Sequence, residues 1–142
     1  MKAARKARSK YAKQPDRRKT GHKTLRKIHG DYGVAVLARL DNIAPELKKW
    51  IIEFGFGEVY SRPALNPRSR QIATIAALVA MGHTGDELRS HIRAGLQTGL
   101  SRAEVVEVIM QMALYAGFPA AISGAKAAEV TFAELDASGH GK

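Results

Sequence analysis

The chain contains no cysteine. Disulfides, thiolate metal sites, cysteine nucleophiles and dithiol redox chemistry are therefore excluded, and the composition is compatible with a reducing compartment. Long apolar runs are also missing. The longest largely apolar stretch, Ile72 to Met81, falls well short of the roughly 18 residues that a membrane span requires. The N-terminus has no apolar middle of the kind a secretory signal needs, and only a poor apolar face for an organelle-targeting peptide, so the expected compartment is the cytoplasm. No strand-like alternation or Asn-Gly hairpin occurs, and no phosphate-cradling glycine loop or nucleophile elbow.

Acidic residues are scarce at one end only. Residues 1–30 hold 12 of the 23 Lys and Arg against the single acid Asp16, whereas residues 31–142 carry a net charge of −1. The overall charge of +10 thus belongs to an N-terminal arm, expected to be disordered over residues 1–23. Attraction to nucleic acid or acidic partners would come from that arm alone, with Tyr11 its one residue able to stack on a base.

What remains, residues 24–136, is one helical domain of about six helices, with 137–142 as a fraying tail. The 142 residues are 45% apolar, enough for a core that needs no covalent staple. Leu25, Ile28, Tyr32, Ala35 and Val36 recur at helical spacing, with Gly30 and Gly33 as potential breaks. A second helix starts near Pro45, shows Leu47, Trp50, Ile51 and Phe54 on one face, and should stop around Gly55 and Gly57. Asn66 and Pro67 open a third, nearly apolar all round, which ends at Gly82. Thr84 with Glu87, and Ser101 with Glu104, read as capping boxes for two more helices ending at Gly99 and Gly117. A last helix follows Pro119 and runs to about Leu135. An apolar helix without a wet face, in so small a domain, implies cover from further copies of the chain.

Polar residues set against apolar faces carry the candidate chemistry. His91 lies mid-helix beside Ile92, with Leu88 and Gly95 a turn away on either side; Glu87, one turn earlier, is placed to accept a proton from its ring. Arg89 and Arg93 flank it. His83, Glu87 and His91 also have the spacing of a metal face, but no third strong ligand is evident and no metal is assigned. The second cluster is the GEVYSRP segment, Gly57 to Pro63, where Glu58, Tyr60 and Arg62 alternate; an arginine there suits a carboxylate.

Taken together, LRKIHGD (25–31), GEVYSRPALNPRSR (57–70), IATIAALVAMG (72–82) and DELRSHIRAGLQTGLSRAEVVEVIMQMALYAGFPAA (86–121) resemble the carboxymuconolactone decarboxylase family in order and spacing from about Leu25 to Leu135. The resemblance implies an all-helical, alkylhydroperoxidase-like fold assembled as homotrimers or homohexamers. It also implies a cofactor-free reaction, loss of carbon dioxide from 4-carboxymuconolactone to give the enol-lactone of 3-oxoadipate in aromatic-acid breakdown. On the same resemblance His91 is the general acid or oxyanion donor, Glu58 its proton-handling partner, and Arg62 or Arg93 the holder of a substrate carboxylate, with Tyr60 and Phe118 as further substrate contacts.

Two departures qualify the match. The peroxidase relatives in the wider superfamily depend on a CxxC before the histidine, where this chain reads HTGDELRSH, so peroxidase chemistry is excluded. Ala116 stands where decarboxylase sequences often carry Cys. Two alternatives remain open at this level: another lactone or 3-oxo acid as substrate, or a non-catalytic helical oligomer that binds nucleic acid or a partner through its basic arm.

Overall fold

A computed structural model describes residues 15–140. Among these there are six helices and no strand: α1 (Arg17–Ala38), α2 (Pro45–Trp50), continued without a break by a π-helical segment π1 (Ile51–Val59), α3 (Pro67–Ala80), α4 (Asp86–Gln97), α5 (Arg102–Ala116) and α6 (Phe118–Ala137). The all-helical expectation holds.

The basic arm is shorter than its composition suggests. Residues 17–23 form the first turns of α1, because the Asp16 carboxylate accepts hydrogen bonds from the backbone N–H groups of Arg18 (3.0 Å) and Lys19 (3.2 Å). Lys and Arg are good helix formers, so a charged composition does not by itself forbid the helix. Residues 1–14 of the expected arm, and Gly141 and Lys142 of the expected tail, lie outside the described residues.

Gly30 breaks α1 as anticipated, at φ 59° and ψ −155°, a left-handed conformation that costs a glycine little. The break frees carbonyls of the preceding turn. The side-chain amide of Gln97, at the end of α4, donates to the carbonyls of Lys27 (3.2 Å) and Arg26 (3.5 Å), tying the kink to the neighbouring helix.

The second helix departs most from its sequence pattern. Leu47, Trp50 and Phe54 are exposed, and the buried residues are Ile52, Phe56 and Gly57. From Ile51 the chain winds more widely, with Tyr60 N–H bonded to the Gly55 carbonyl five residues back (2.8 Å). This shifts the buried face away from the one that a 3.6-residue period indicates. Neither Gly55 nor Gly57 stops the helix. Gly57 instead permits close approach, since a Cβ there would stand 2.2 Å from the Arg17 carbonyl oxygen; on the facing helix, a Cβ at Gly21 would stand 2.0 Å from that of Ile52.

The capping signals divide. Ser101 and Glu104 form the reciprocal box, with Glu104 N–H donating to Ser101 Oγ (3.1 Å) and Ser101 N–H to Glu104 Oε2 (2.8 Å). Thr84 caps nothing. Helix α4 starts at Asp86 behind Gly85, with no side-chain cap, and its first turn is supported by Asp86 and Glu87 against the helix dipole. Helix α3 buries Gln71, Ile75 and Val79, while Ala73, Ala77, Ala80 and Met81 stay exposed within one chain, so its burial there is one-sided.

Two apolar clusters result. The larger joins Ile75 and Val79 of α3 to Leu88 and Ile92 of α4, Val105 and Ile109 of α5, and Ala127 and Ala128 of α6. The smaller joins Leu25 and Ile28 of α1, Phe56 of π1 and Ala94 of α4. No helix among the described residues is long and apolar enough to cross a membrane.

Candidate active site

At the edge of the smaller cluster α1, π1 and α4 enclose a cavity of about 310 Å³, lined by His29, Phe56, Asp86, Glu87, Ser90 and His91 among apolar side chains. That is near the lower end of the range for small-molecule sites, roughly 300–1,000 Å³. No Lys or Arg lines it. The cations paired with its lining are Arg89 and Arg39, 3.4 and 3.9 Å from the Asp86 carboxylate.

His91 is held from α3. Its Nδ1 lies 2.9 Å from Gln71 Oε1, an acceptor, so Nδ1 carries the proton and donates, leaving Nε2 with a free lone pair. Gln71 is completely buried one and two turns before Ile75 and Val79, and that packing fixes its amide. Burial pushes the His91 pKa down to about 4, against the opposing pull of the Glu87 charge. The imidazole is neutral at pH 7.

A second imidazole completes the site. His29, turned inward just before the α1 kink, meets His91 edge to face with ring centroids 4.8 Å apart and meets Phe56 likewise at 5.5 Å. Its Nδ1 is 3.3 Å from Ser90 Oγ. Burial first, and the neighbouring His91 second, push its pKa down to about 3.

The structure does not gather the other sequence candidates here. Glu58 pairs with Arg17 (3.4 Å) at the α1–π1 contact, and the His91 nitrogen expected to meet Glu87 is taken by Gln71. Tyr60 donates to or accepts from Thr74 Oγ1 (2.7 Å) and packs on Phe56, one ring removed from the histidines. Arg93 pairs with Glu134 (2.7 Å) beneath the Tyr32 ring and lines a neighbouring cavity shared with His29. Arg62 and Phe118 are exposed. Gly95, a turn beyond His91, leaves no open space there, since a Cβ would stand 3.0 Å from Leu100 and 3.3 Å from Ile75. Among the described residues no group of three His, Asp or Glu is placed to hold a metal.

His29, Gln71 and Ser90 escaped the sequence reading. Gln71 had a usable signal, a polar residue in register with Ile75 and Val79 on the buried stripe. His29 had a weaker one, four residues after Leu25 on the same helical face.

Residues 45–130 match the model of the carboxymuconolactone decarboxylase family. The chain belongs to that family. Membership places it among the carboxy-lyases. The match runs from α2 into α6 and includes Gln71, Ser90 and His91, whereas His29 lies outside it. A 4-carboxymuconolactone decarboxylase from Acinetobacter baylyi is 39% identical over 99 residues, covering 70% of this chain and 73% of that one. An uncharacterized protein from Paracoccus denitrificans is 29% identical over 68% of this chain and 73% of its own length. A nitrosuccinic acid decarboxylase from Metarhizium robertsii is 29% identical over 51% of this chain and 50% of its own.

The Gln71–His91 bond gives a prediction that separates activity from stability. Gln71→Leu keeps the buried volume but leaves the His91 proton without its acceptor, a loss of about 1 kcal/mol or more that should lower kcat/KM about tenfold. Because it also removes a buried amide nitrogen that has no partner among the described residues, the melting temperature should stay within a few degrees of the parent. Parallel kinetics and calorimetry check both.

Proposed function

We propose that the chain decarboxylates 4-carboxymuconolactone without a cofactor, in the cytoplasm, giving the enol-lactone of 3-oxoadipate. The observation that carries this reading is His91, neutral and fixed through Nδ1 at a half-open cavity, in a chain 39% identical to a protein named for that reaction. The bond between the ring carbon and its carboxylate breaks, and its electron pair passes through the ring double bond to the lactone carbonyl oxygen. Carbon dioxide leaves. One proton is then consumed as the ring carbon is protonated. A neutral imidazole gains basicity when a dianion enters beside it, so His91 Nε2 takes that proton from solvent and delivers it to carbon. Glu87, lining the same cavity, favours the protonated form.

The substrate is tested by comparing kcat/KM for 4-carboxymuconolactone, nitrosuccinic acid and an open-chain 3-oxo acid. The proposal expects the lactone to lead by at least an order of magnitude. Preference for either other acid would overturn it.

The functional unit in this proposal is a homotrimer or homohexamer. Met110, Leu114, Tyr115, Phe118 and Ile122 are all exposed on α5 and α6, large apolar side chains of the kind that contact between copies would cover. Leu114→Glu combined with Phe118→Glu should dissociate the assembly. Sedimentation velocity should show the parent at three or six times 15.4 kDa and the variant at a smaller multiple; a monomeric parent would contradict the assembly.

A further inference from the structure

His29 has the surroundings of a working residue rather than of a core residue. The residue is only 6% exposed, yet its Nε2 makes no hydrogen bond among the described residues. Leaving such an atom without a partner costs about 1–3 kcal/mol, so a histidine with a purely structural role would be expected to bond through both nitrogens. Here the buried ring stands immediately before the Gly30 break, and Gln97 secures the break from α4, the helix that carries Ser90 and His91.

The proton can be placed. Among the described residues the hydroxyl proton of buried Ser90 has no acceptor other than His29 Nδ1, and on that ground Ser90 is assigned as the donor to that nitrogen. A neutral imidazole has a single N–H, which then sits on Nε2. His91 is arranged the other way, with its proton on Nδ1 and a lone pair on Nε2. Among the side chains lining the cavity, only His29, Ser90 and His91 can donate a hydrogen bond at neutral pH, and the donors of Ser90 and His91 are already committed.

We propose that His29 is a catalytic residue whose Nε2–H, closed to solvent where the ring packs with Phe56 and His91, is exposed by a turn of the ring as the ligand enters and then binds its carbonyl oxygen. This rests on the decarboxylase reading for the ligand's identity, the lactone carbonyl oxygen on which charge gathers as the carbon–carboxylate bond breaks. The electron pair comes to rest on the oxygen held by His29, carbon dioxide departs, and the proton that His91 took from solvent goes to the ring carbon. A hydrogen bond to that oxygen strengthens as charge gathers on it, so the donor stabilises the transition state more than the bound substrate.

The experiment uses the full chain, its His29→Leu and His29→Gln variants, 4-carboxymuconolactone as substrate, and a saturated lactone dicarboxylate that cannot decarboxylate for want of the ring double bond. His29→Leu removes the donor and should lower kcat by about a hundredfold, with KM changed far less, the effect of deleting one oxyanion donor. His29→Gln restores an N–H and should recover at least tenfold of that loss, which a merely structural role would not do. The His29 Nε2 resonance in nitrogen NMR should shift when the saturated lactone binds. Full activity in the folded His29→Leu variant overturns the proposal while leaving the decarboxylase reading intact. If the parent turns over no lactone, that reading fails, and an unmoved Nε2 resonance in the bound saturated lactone complex then overturns the His29 assignment on its own.

Discussion

His91→Ala should lower kcat/KM for 4-carboxymuconolactone by about a hundredfold or more in a protein that remains folded, as expected when a group that moves the proton is removed. The ring sits at the cavity wall rather than in the large apolar cluster, so its loss spares the contacts of Ile75, Leu88 and Ile92 that hold α3 to α4. The same variant reports on pH. Both histidines are neutral when folded, with pKa values lowered to about 4 and about 3, whereas unfolded histidine titrates near 6.5. Below pH 6.5 the unfolded chain therefore binds more protons than the folded one, and stability falls as pH drops from about 6.5 toward 4, while above 6.5 it is unaffected by either group. His91→Ala should make that acid-side decline shallower. Denaturation midpoints at pH 7.5 and pH 5 measure the slope, and an unchanged slope would place the shifted histidine elsewhere.

Gly57→Ala should destabilise the chain by about 3 kcal/mol, lowering its melting temperature by roughly 10 °C, whereas Gly55→Ala, two residues earlier in the same helix, should stabilise it slightly. The contrast follows from what each new methyl meets. At Gly57 it would lie 2.2 Å from the Arg17 carbonyl oxygen, a backbone atom that moves only if α1 moves; at Gly55 nothing lies within 4 Å. Activity should fall with Gly57→Ala as well, since the α1–π1 contact sets His29 against Phe56. Equal thermal shifts for the two substitutions would contradict the packing described.

These two glycines show where sequence reading stops. Both lie in the segment read as a helix end, because glycine weakens helices and local pattern is all a sequence displays. The close approach of Arg17 to Gly57 is a long-range fact, invisible until α1 is known to cross that segment. Ser101 and Glu104 were legible because the capping box is complete within four residues. Thr84 and Glu87 present an equivalent pattern, yet the chain enters α4 one residue later, with Gly85 as its N-cap. His91 was legible because Leu88 and Ile92 fix its helix face. Its partners Gln71 and His29 come from α3 and α1, 20 and 62 residues earlier in the chain, and only the packing of three helices brings them together.

Glu58, Arg62, Arg93 and Phe118 make the complementary point. Each is a reasonable partner for a carboxylate or a lactone by residue type, but within one chain Glu58 and Arg93 are held in ion pairs with Arg17 and Glu134, and Arg62 and Phe118 face outward. The cavity instead presents two uncharged imidazoles and a serine beside the carboxylates of Asp86 and Glu87. The imidazoles suit a reaction in which negative charge stays behind on one oxygen as neutral carbon dioxide leaves and is removed when carbon is protonated.

The central claim is that this cavity removes carbon dioxide from 4-carboxymuconolactone with the chain's own residues. Freshly generated substrate supplied to the purified, chelator-treated protein tests it most directly, with carbon dioxide and enol-lactone quantified in the same sample. The account predicts the two in equal amounts, at a rate that rises in proportion to protein and falls about a hundredfold with His91→Ala. Carbon dioxide release no faster than in buffer would contradict it, as would full turnover by the folded His91→Ala variant.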